Sequence, residues 1–233
     1  MRIAVIGATG RTGSLTVTSA LSRGDDVTAI TRSPEKLGDL GPRVRVVQAS
    51  ATDVDALAQG IRDADAVVSA LGHSSSSGED VLAEGIRATV AAMERTGVRR
   101  IAFISAAGHS TDGDGWFTRA VVKPLLGAFL RKQFADTKQA ERELLSSGLE
   151  WTIVRPPMLR DGDARGYVSR EWLNVRGHFT MNRSDLADAM LDLVTDAPPR
   201  RIYSVASAKP GEQRSARTTP GRAKGLGSTS LGA

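Results

Sequence analysis

The sequence opens Arg2-Ile3-Ala4-Val5-Ile6-Gly7-Ala8-Thr9-Gly10-Arg11-Thr12-Gly13, and this stretch limits the fold more than any other. The apolar run from Ile3 to Ile6 suits a buried strand, three evenly spaced glycines follow it, and Ser14 to Arg23 is compatible with a helix. Strand, tight turn and helix in that order form the frame that seats a dinucleotide. Gly7 lets the chain turn at the end of the strand. Gly10 removes a side chain where a pyrophosphate approaches the backbone, and Gly13 lets the helix pack closely on the strand. The first-turn N–H groups and the helix dipole then favour phosphate charge. A structural turn opening an α/β domain is the plainer alternative.

The second strand, Asp26 to Thr31, ends in Arg32-Ser33-Pro34-Glu35-Lys36. NAD-binding sites carry an acid here that bonds the ribose 2′-hydroxyl. No acid stands at this strand end. Arg32 does, with Lys36 close behind, and an arginine forks onto a 2′-phosphate. Arg11 is a second group that reaches toward the same phosphate. The pattern therefore predicts NADP(H) rather than NAD(H), against the blander reading of Arg32 as a solvated loop charge.

Further strands are expected at 43–48, 65–72, 100–105, 150–155 and 201–205. Helices are expected at 53–60, capped by Thr52 or Asp53, at 79–96, at 131–147, and from Ser184 as a cap. Strands apolar on both faces, alternating with helices, imply a doubly wound parallel sheet of the Rossmann type. Right-handed crossovers put the loops after the strands along one edge. The loop-rich part at 156–182 is expected to form a small substrate lobe within a domain spanning 1–205. The stretch Trp116 to Leu130 is apolar and broken by Pro124; it reads as a lid, a dimer surface or core.

Composition narrows the classes. The 233 residues suit one α/β domain, and cysteine is absent, so disulfides and thiolate chemistry are excluded. The formal charge is +5, but five basic residues against one acid lie from Lys209 onward, in a Gly/Ser/Thr/Arg-rich end. A disordered, solvated tail over 206–233 explains that charge better than specific nucleic-acid binding. No apolar run approaches a membrane span and no signal layout precedes Ile3, so a cytoplasmic protein is expected, either monomer or homodimer. His73, His109 and His178 lack metal-ligand spacing, so no metal is expected.

Several motifs fall in order along residues 1–205: Gly-Ala-Thr-Gly-Arg-Thr-Gly at 7–13, Thr-Arg-Ser-Pro-Glu-Lys at 31–36 and Ala-Leu-Gly at 70–72. They continue with Ile-Ser-Ala-Ala-Gly at 104–108, Trp-Thr-Ile-Val-Arg-Pro-Pro at 151–157 and Arg-Ser-Asp-Leu-Ala at 183–187. Together they resemble the atypical short-chain dehydrogenase/reductases of the NmrA-like, NAD(P)H-binding group, nearest to the biliverdin-reductase-B/flavin-reductase type. The resemblance implies a Rossmann fold binding NADP(H), with Thr9, Gly10, Arg11 and Thr12 at the phosphates and Arg32 and Lys36 at the 2′-phosphate. It places Leu71 and Gly72 along the cofactor and Ser105 near the nicotinamide. Two departures stand out. Ala49-Ser50 replaces a frequent Gly-Asp near the adenine. Phe134-Ala135-Asp136-Thr137-Lys138 stands where tyrosine-dependent members carry Tyr-x-x-x-Lys.

Without that phenol, reduction of an alcohol or ketone by the usual proton relay is disfavoured. Ser105 is a candidate to hydrogen-bond a carbonyl, or a strand-end serine satisfying a turn. Lys138 is a candidate ribose contact, or a partner of Glu141 on a solvated helix face. Tyr167, in the expected lobe, is within reach of a substrate, whereas Tyr203 reads as packing. Hydride transfer to a planar conjugated acceptor such as a flavin or quinone is largely positioning, and it tolerates the missing tyrosine. An NADPH-dependent oxidoreductase is thus the first reading. The alternative is a non-catalytic NADP(H)-binding redox sensor that signals to a partner. A sugar-nucleotide epimerase or dehydratase ranks third.

Overall fold

The computed structural model describes residues 1–38, 40, 43–72, 81–106 and 131–212. Along the chain run β1 (Arg2–Ile6), α1 (Gly13–Ser22), β2 (Asp26–Thr31), a 3-10 turn (Pro34–Lys36), β3 (Val44–Gln48), α2 (Val54–Ile61), β4 (Ala66–Ser69), α3 (Val81–Thr96) and β5 (Arg100–Ile104). They continue as α4 (Arg131–Ser146), β6 (Glu150–Arg155), β7 (Met158–Arg160), β8 (Tyr167–Glu171), β9 (Thr180–Asn182), α5 (Arg183–Asp196) and β10 (Arg201–Ser207).

Eight strands form one sheet in the order β3-β2-β1-β4-β5-β6-β10-β8. Every neighbouring pair is parallel except β10 with β8. The chain leaves β1 toward β2 and later returns to the other side of β1 at β4. That reversal is the switch point at which open α/β sheets bind ligands beyond their carboxyl ends.

The strand sequences explain why both faces are covered. Along β1, Ile3 and Val5 point to one face, and Ala4 and Ile6 to the other. The first face packs on Val17 and Ala20 of α1 and on Leu186, Ala189 and Met190 of α5. The second packs on Leu57 and Ile61 of α2, Ile86 and Met93 of α3, and Leu144 of α4. Both helix layers bury apolar side chains on a near-continuous apolar sheet, the pattern that requires cover on both sides.

The segment expected to be a loop-rich lobe is more regular than its glycines suggest. β7 and β9 pair as a small parallel sheet, with Leu159 opposite Met181. β8 joins the main sheet as its antiparallel edge, Tyr167 opposite Ser207. Tyr167 is therefore not a substrate contact. It is buried in the core, and its hydroxyl donates to Asp192 Oδ2 at 3.1 Å. Asp192 also takes Arg23 Nη1 at 2.6 Å, and Arg23 Nη2 reaches Asp188 Oδ1 at 2.9 Å. This half-buried cluster bolts the end of α1 to α5 and β8.

A second buried carboxylate fixes the start of α5. Asp185 Oδ1 accepts from the backbone N–H of Arg165 and Gly166 at 2.6 and 2.9 Å, and Oδ2 accepts from the Ser207 hydroxyl. Ser184 is not the cap of α5. Asn182 occupies that position, and the Ser184 hydroxyl donates to the Gly162 carbonyl at 2.7 Å. The expected tail boundary also shifts. β10 runs to Ser207, because Ala206 and Ser207 pair with Val168 and Tyr167. The rest of that tail, from 213 onward, lies outside the described residues, as do His73, His109 and Trp116 to Leu130. Among the described residues no helix is long and apolar enough to cross a membrane.

Burial first, then the neighbouring Asp192 carboxylate, hold the Tyr167 phenol well above its ordinary value of 10.0. Above about pH 10 the unfolded chain ionises this phenol while the folded protein keeps its proton. The stabilisation is thus present below that pH and lost above it, at up to about 1.4 kcal/mol per pH unit. Urea unfolding followed from neutral to strongly alkaline pH should show this slope in the wild type and a shallower one in Tyr167→Phe. Equal slopes would mean that the phenol titrates freely in the folded protein.

Candidate functional site

The carboxyl ends of β1, β2, β4, β5 and β6 lie along one edge because these strands run parallel, and most of the expected site residues stand there. Gly7 ends β1 with φ of 79°, a left-handed conformation that glycine adopts without strain. Its carbonyl accepts from Gly10 N–H at 2.9 Å, which closes the turn. A Cβ on Gly13 would lie 2.1 Å from that same carbonyl oxygen, and one on Gly10 would lie 3.1 Å from it. Helix α1 thus starts directly against the end of β1, and only glycine permits it.

The N–H groups of Thr9, Arg11, Thr12 and Gly13 find no acceptor among the described residues. Thr12, at the N-cap of α1, makes no side-chain cap bond. A turn without Cβ atoms at Gly7, Gly10 and Gly13, with N–H groups left over at a helix start, fits an anionic phosphate group.

Thr9 has a second task. Its hydroxyl lies 2.7 Å from that of Thr31, the last residue of β2, and the Thr31 oxygen accepts from Ser33 N–H at 3.1 Å. These bonds tie the glycine turn to the end of β2, where Arg32 and Lys36 stand exposed. Neither side chain has an ion-pair or hydrogen-bond partner among the described residues. Arg11 is different: its Nη2 lies 2.6 Å from Asp161 Oδ2, in the segment after β7. It is engaged there and does not join Arg32. Beyond β4, Leu71 is half-buried with its Cδ1 against Gly85 of α3, and Gly72 is exposed.

At the end of β5, Ser105 is 7% exposed and its hydroxyl donates to Glu141 Oε1. Glu141, on α4, is 5% exposed and is forked by Arg155 at the end of β6, Nε to Oε1 at 2.9 Å and Nη2 to Oε2 at 2.7 Å. A carboxylate in such a fork is ionised and only accepts, so the Ser105 proton is committed to it. In this arrangement Ser105 does not donate to a substrate carbonyl. The expected Lys138–Glu141 surface pair is absent for the same reason: Glu141 faces inward, onto Arg155 and Ser105.

Helix α4 buries Asp136, Thr137, Ala140, Glu141 and Leu144, and this stripe leaves Lys138 exposed. Asp136, within the departure from Tyr-x-x-x-Lys, accepts from the N–H groups of Leu82 and Ala83 at 3.0 and 2.9 Å. It thereby satisfies first-turn donors of α3. The sequence reading gave neither acid an inward role, and put Glu141 on a solvated face. Their positions on one helical face with Ala140 and Leu144 are the signal that marks them as inward-facing. Past Arg155, Met158 and Phe179 are joined by a backbone bond, Met158 N–H to the Phe179 carbonyl, and are 69% and 64% exposed.

Comparison with known proteins agrees with this geometry. A family model described as NAD(P)H-binding matches residues 7–197. The chain belongs to this NAD(P)H-binding family. The UPF0659 protein YMR090W of Saccharomyces cerevisiae is 27% identical over 207 residues, covering 82% of this chain and 86% of that protein. A short-chain dehydrogenase/reductase from Veillonella parvula, solved in complex with NADP, superposes with a TM-score of 0.73 at 21% identity, over 90% of this chain and 95% of that one. ChuY, an anaerobillin reductase from Escherichia coli O157:H7, superposes with a TM-score of 0.71 at 22% identity, over 92% and 100%. The two structures establish a shared Rossmann-type fold.

The contact at Gly13 sets a test. Gly13→Ala should lower stability by about 1–3 kcal/mol, the usual cost of overpacking, and weaken NADP(H) binding with it. Gly148→Ala, where a Cβ would meet nothing within 4 Å, should change neither. Urea midpoints and calorimetric titrations of both variants measure this, and a harmless Gly13→Ala would contradict the packing described.

Proposed function

We propose that the protein is an NADPH-dependent oxidoreductase that passes hydride to a planar conjugated acceptor such as a flavin or a quinone. The observation that carries the cofactor preference is the end of β2, where Arg32 and Lys36 stand exposed and unengaged among the described residues, beside the glycine turn and with no acid at Arg32's position. Two cations there favour a 2′-phosphate over a free hydroxyl. The acceptor class is supported by the missing phenol at Phe134 and by the exposed apolar pair Met158 and Phe179 at the same sheet edge.

The nicotinamide, when bound, supplies the hydride. The chain's own residues hold and orient. The N–H groups of Thr9, Arg11, Thr12 and Gly13 take the pyrophosphate oxygens, and Gly7 and Gly10 keep that backbone bare. Arg32 forks onto the 2′-phosphate with Lys36 adding charge. Leu71 and Gly72 form the floor beyond β4. Ser105 ends β5 under the ring side, held in one orientation by Glu141, and Lys138 is available to a ribose hydroxyl. Such a site accelerates transfer mainly by fixing donor and acceptor face to face.

Two measurements test this reading. Mixing the protein with NADPH and a panel of flavins and quinones should consume NADPH, followed at the nicotinamide absorbance band; binding without consumption of any acceptor would remove the enzymatic reading. Arg32→Asp should weaken NADPH binding roughly ten- to hundredfold through lost charge-assisted bonds while sparing NADH. Equal losses for both nucleotides would show that Arg32 is not at the 2′-position.

A further inference from the structure

The bond from Arg11 to Asp161 joins two parts of the sheet edge that are far apart in strand order. Arg11 belongs to the turn after β1, whereas Asp161 follows β7, which itself follows β6. Between β1 and β6 in the sheet lie β4 and β5. Helices α1 and α5 pack side by side on one face of the sheet, so the link joins their two starts beside the glycine turn. A dinucleotide held at the glycine turn would bring its pyrophosphate to the start of α1, next to this link.

Exposed ion pairs usually hold little, because two long side chains must be ordered to make them. Asp161 departs from that rule because its neighbours are riveted to the start of α5. Arg160 Nε donates to Asn182 Oδ1 at 2.9 Å, and Asn182 Nδ2 donates to the Asp163 carbonyl at 2.8 Å. Ser184 holds the Gly162 carbonyl, and Gly162 packs so closely on Asn182 that a Cβ would lie 3.0 Å from its side chain. Arg183, itself largely buried, donates to Asp161 Oδ1 at 2.8 Å and orients the carboxylate from the other side. One anion between two guanidiniums leaves the cluster with a net positive charge, which suits a phosphate-bearing ligand.

We infer that Asp161 and Arg183 are positioning residues of the cofactor site, which hold Arg11 as a strap over the pyrophosphate of the bound nucleotide. The inference rests on the NAD(P)H site described above. It assigns Arg11 to the part of the molecule that NADPH and NADH share, and so departs from placing it at the 2′-phosphate. Asp161 touches no ligand atom in this scheme. It acts by fixing the guanidinium, and its loss lets Arg11 wander and the nucleotide leave sooner.

The test is stopped-flow dissociation of NADPH and of NADH from the wild type, Asp161→Asn, Arg11→Gln and the double variant, with Arg32→Asp as comparison. Asp161→Asn and Arg11→Gln should each speed release of both nucleotides by a similar factor, about three- to tenfold, and the double variant should add little because the two side chains act as a unit. The urea midpoint of Arg11→Gln should stay within error, since the pair it removes is exposed at both ends, so faster release from that variant is a loss of grip and not of fold. Unchanged release, slower release from Asp161→Asn, or an effect confined to NADPH would each overturn the strap. Arg32→Asp separates the two claims: a loss for NADPH alone upholds the cofactor site even if the strap fails. Absence of binding by the wild type would end both.

Discussion

The close approach of Gly13 to the carbonyl of Gly7 is the constraint on which the site depends. It lets α1 begin at the very end of β1, so that the helix start and the strand end share one point in space. N–H groups are left over there, among the described residues, because the turn spends only one of them, Gly10 N–H, on itself. The Thr9–Thr31 contact then carries the position of the turn to β2, and with it the place of Arg32. Family membership, cofactor chemistry and the proposed preference for a phosphorylated ribose all descend from this packing.

The parts of the fold legible in the sequence were those set by local pattern. β2 and β6 fall within the expected bounds, since short runs of β-branched and apolar residues flanked by charge leave little freedom. Asp53 caps α2 through its bond to Ala56 N–H, one of the two caps weighed beforehand. Non-local pairing was not legible. Nothing within Tyr167–Glu171 announces that it will add to β10 as an antiparallel edge, because its partner is more than thirty residues away in sequence and that pairing is decided by the whole sheet. Ser184 looked like a cap by residue type, but Asn182 takes that place and frees Ser184 to hold Gly162.

The site divides in the same way. The glycine turn could be read from spacing because backbone geometry dictates it, and Arg32 and Lys36 stand exposed after β2 as the sequence places them. The Ser105–Glu141–Arg155 cluster could not, since its members come from β5, α4 and β6 and meet only when α4 docks. Asp136 illustrates the same point. It reads as one acid in a polar helix, yet its carboxylate satisfies the start of another helix. Position 134 carries no phenol, and two residues later the helix serves architecture.

Helices α1 and α5 both start at the ligand edge and are clamped at depth by Arg23 on Asp188 and Asp192. At the top, Arg183 grips Asp161, and Asp161 grips Arg11, whose turn leads back into α1. The contacts close on themselves: turn, helix, arginine, helix, arginine, aspartate, arginine, turn. A closed frame of this kind resists shear as a braced rectangle does, so neither loop tilts without dragging a helix.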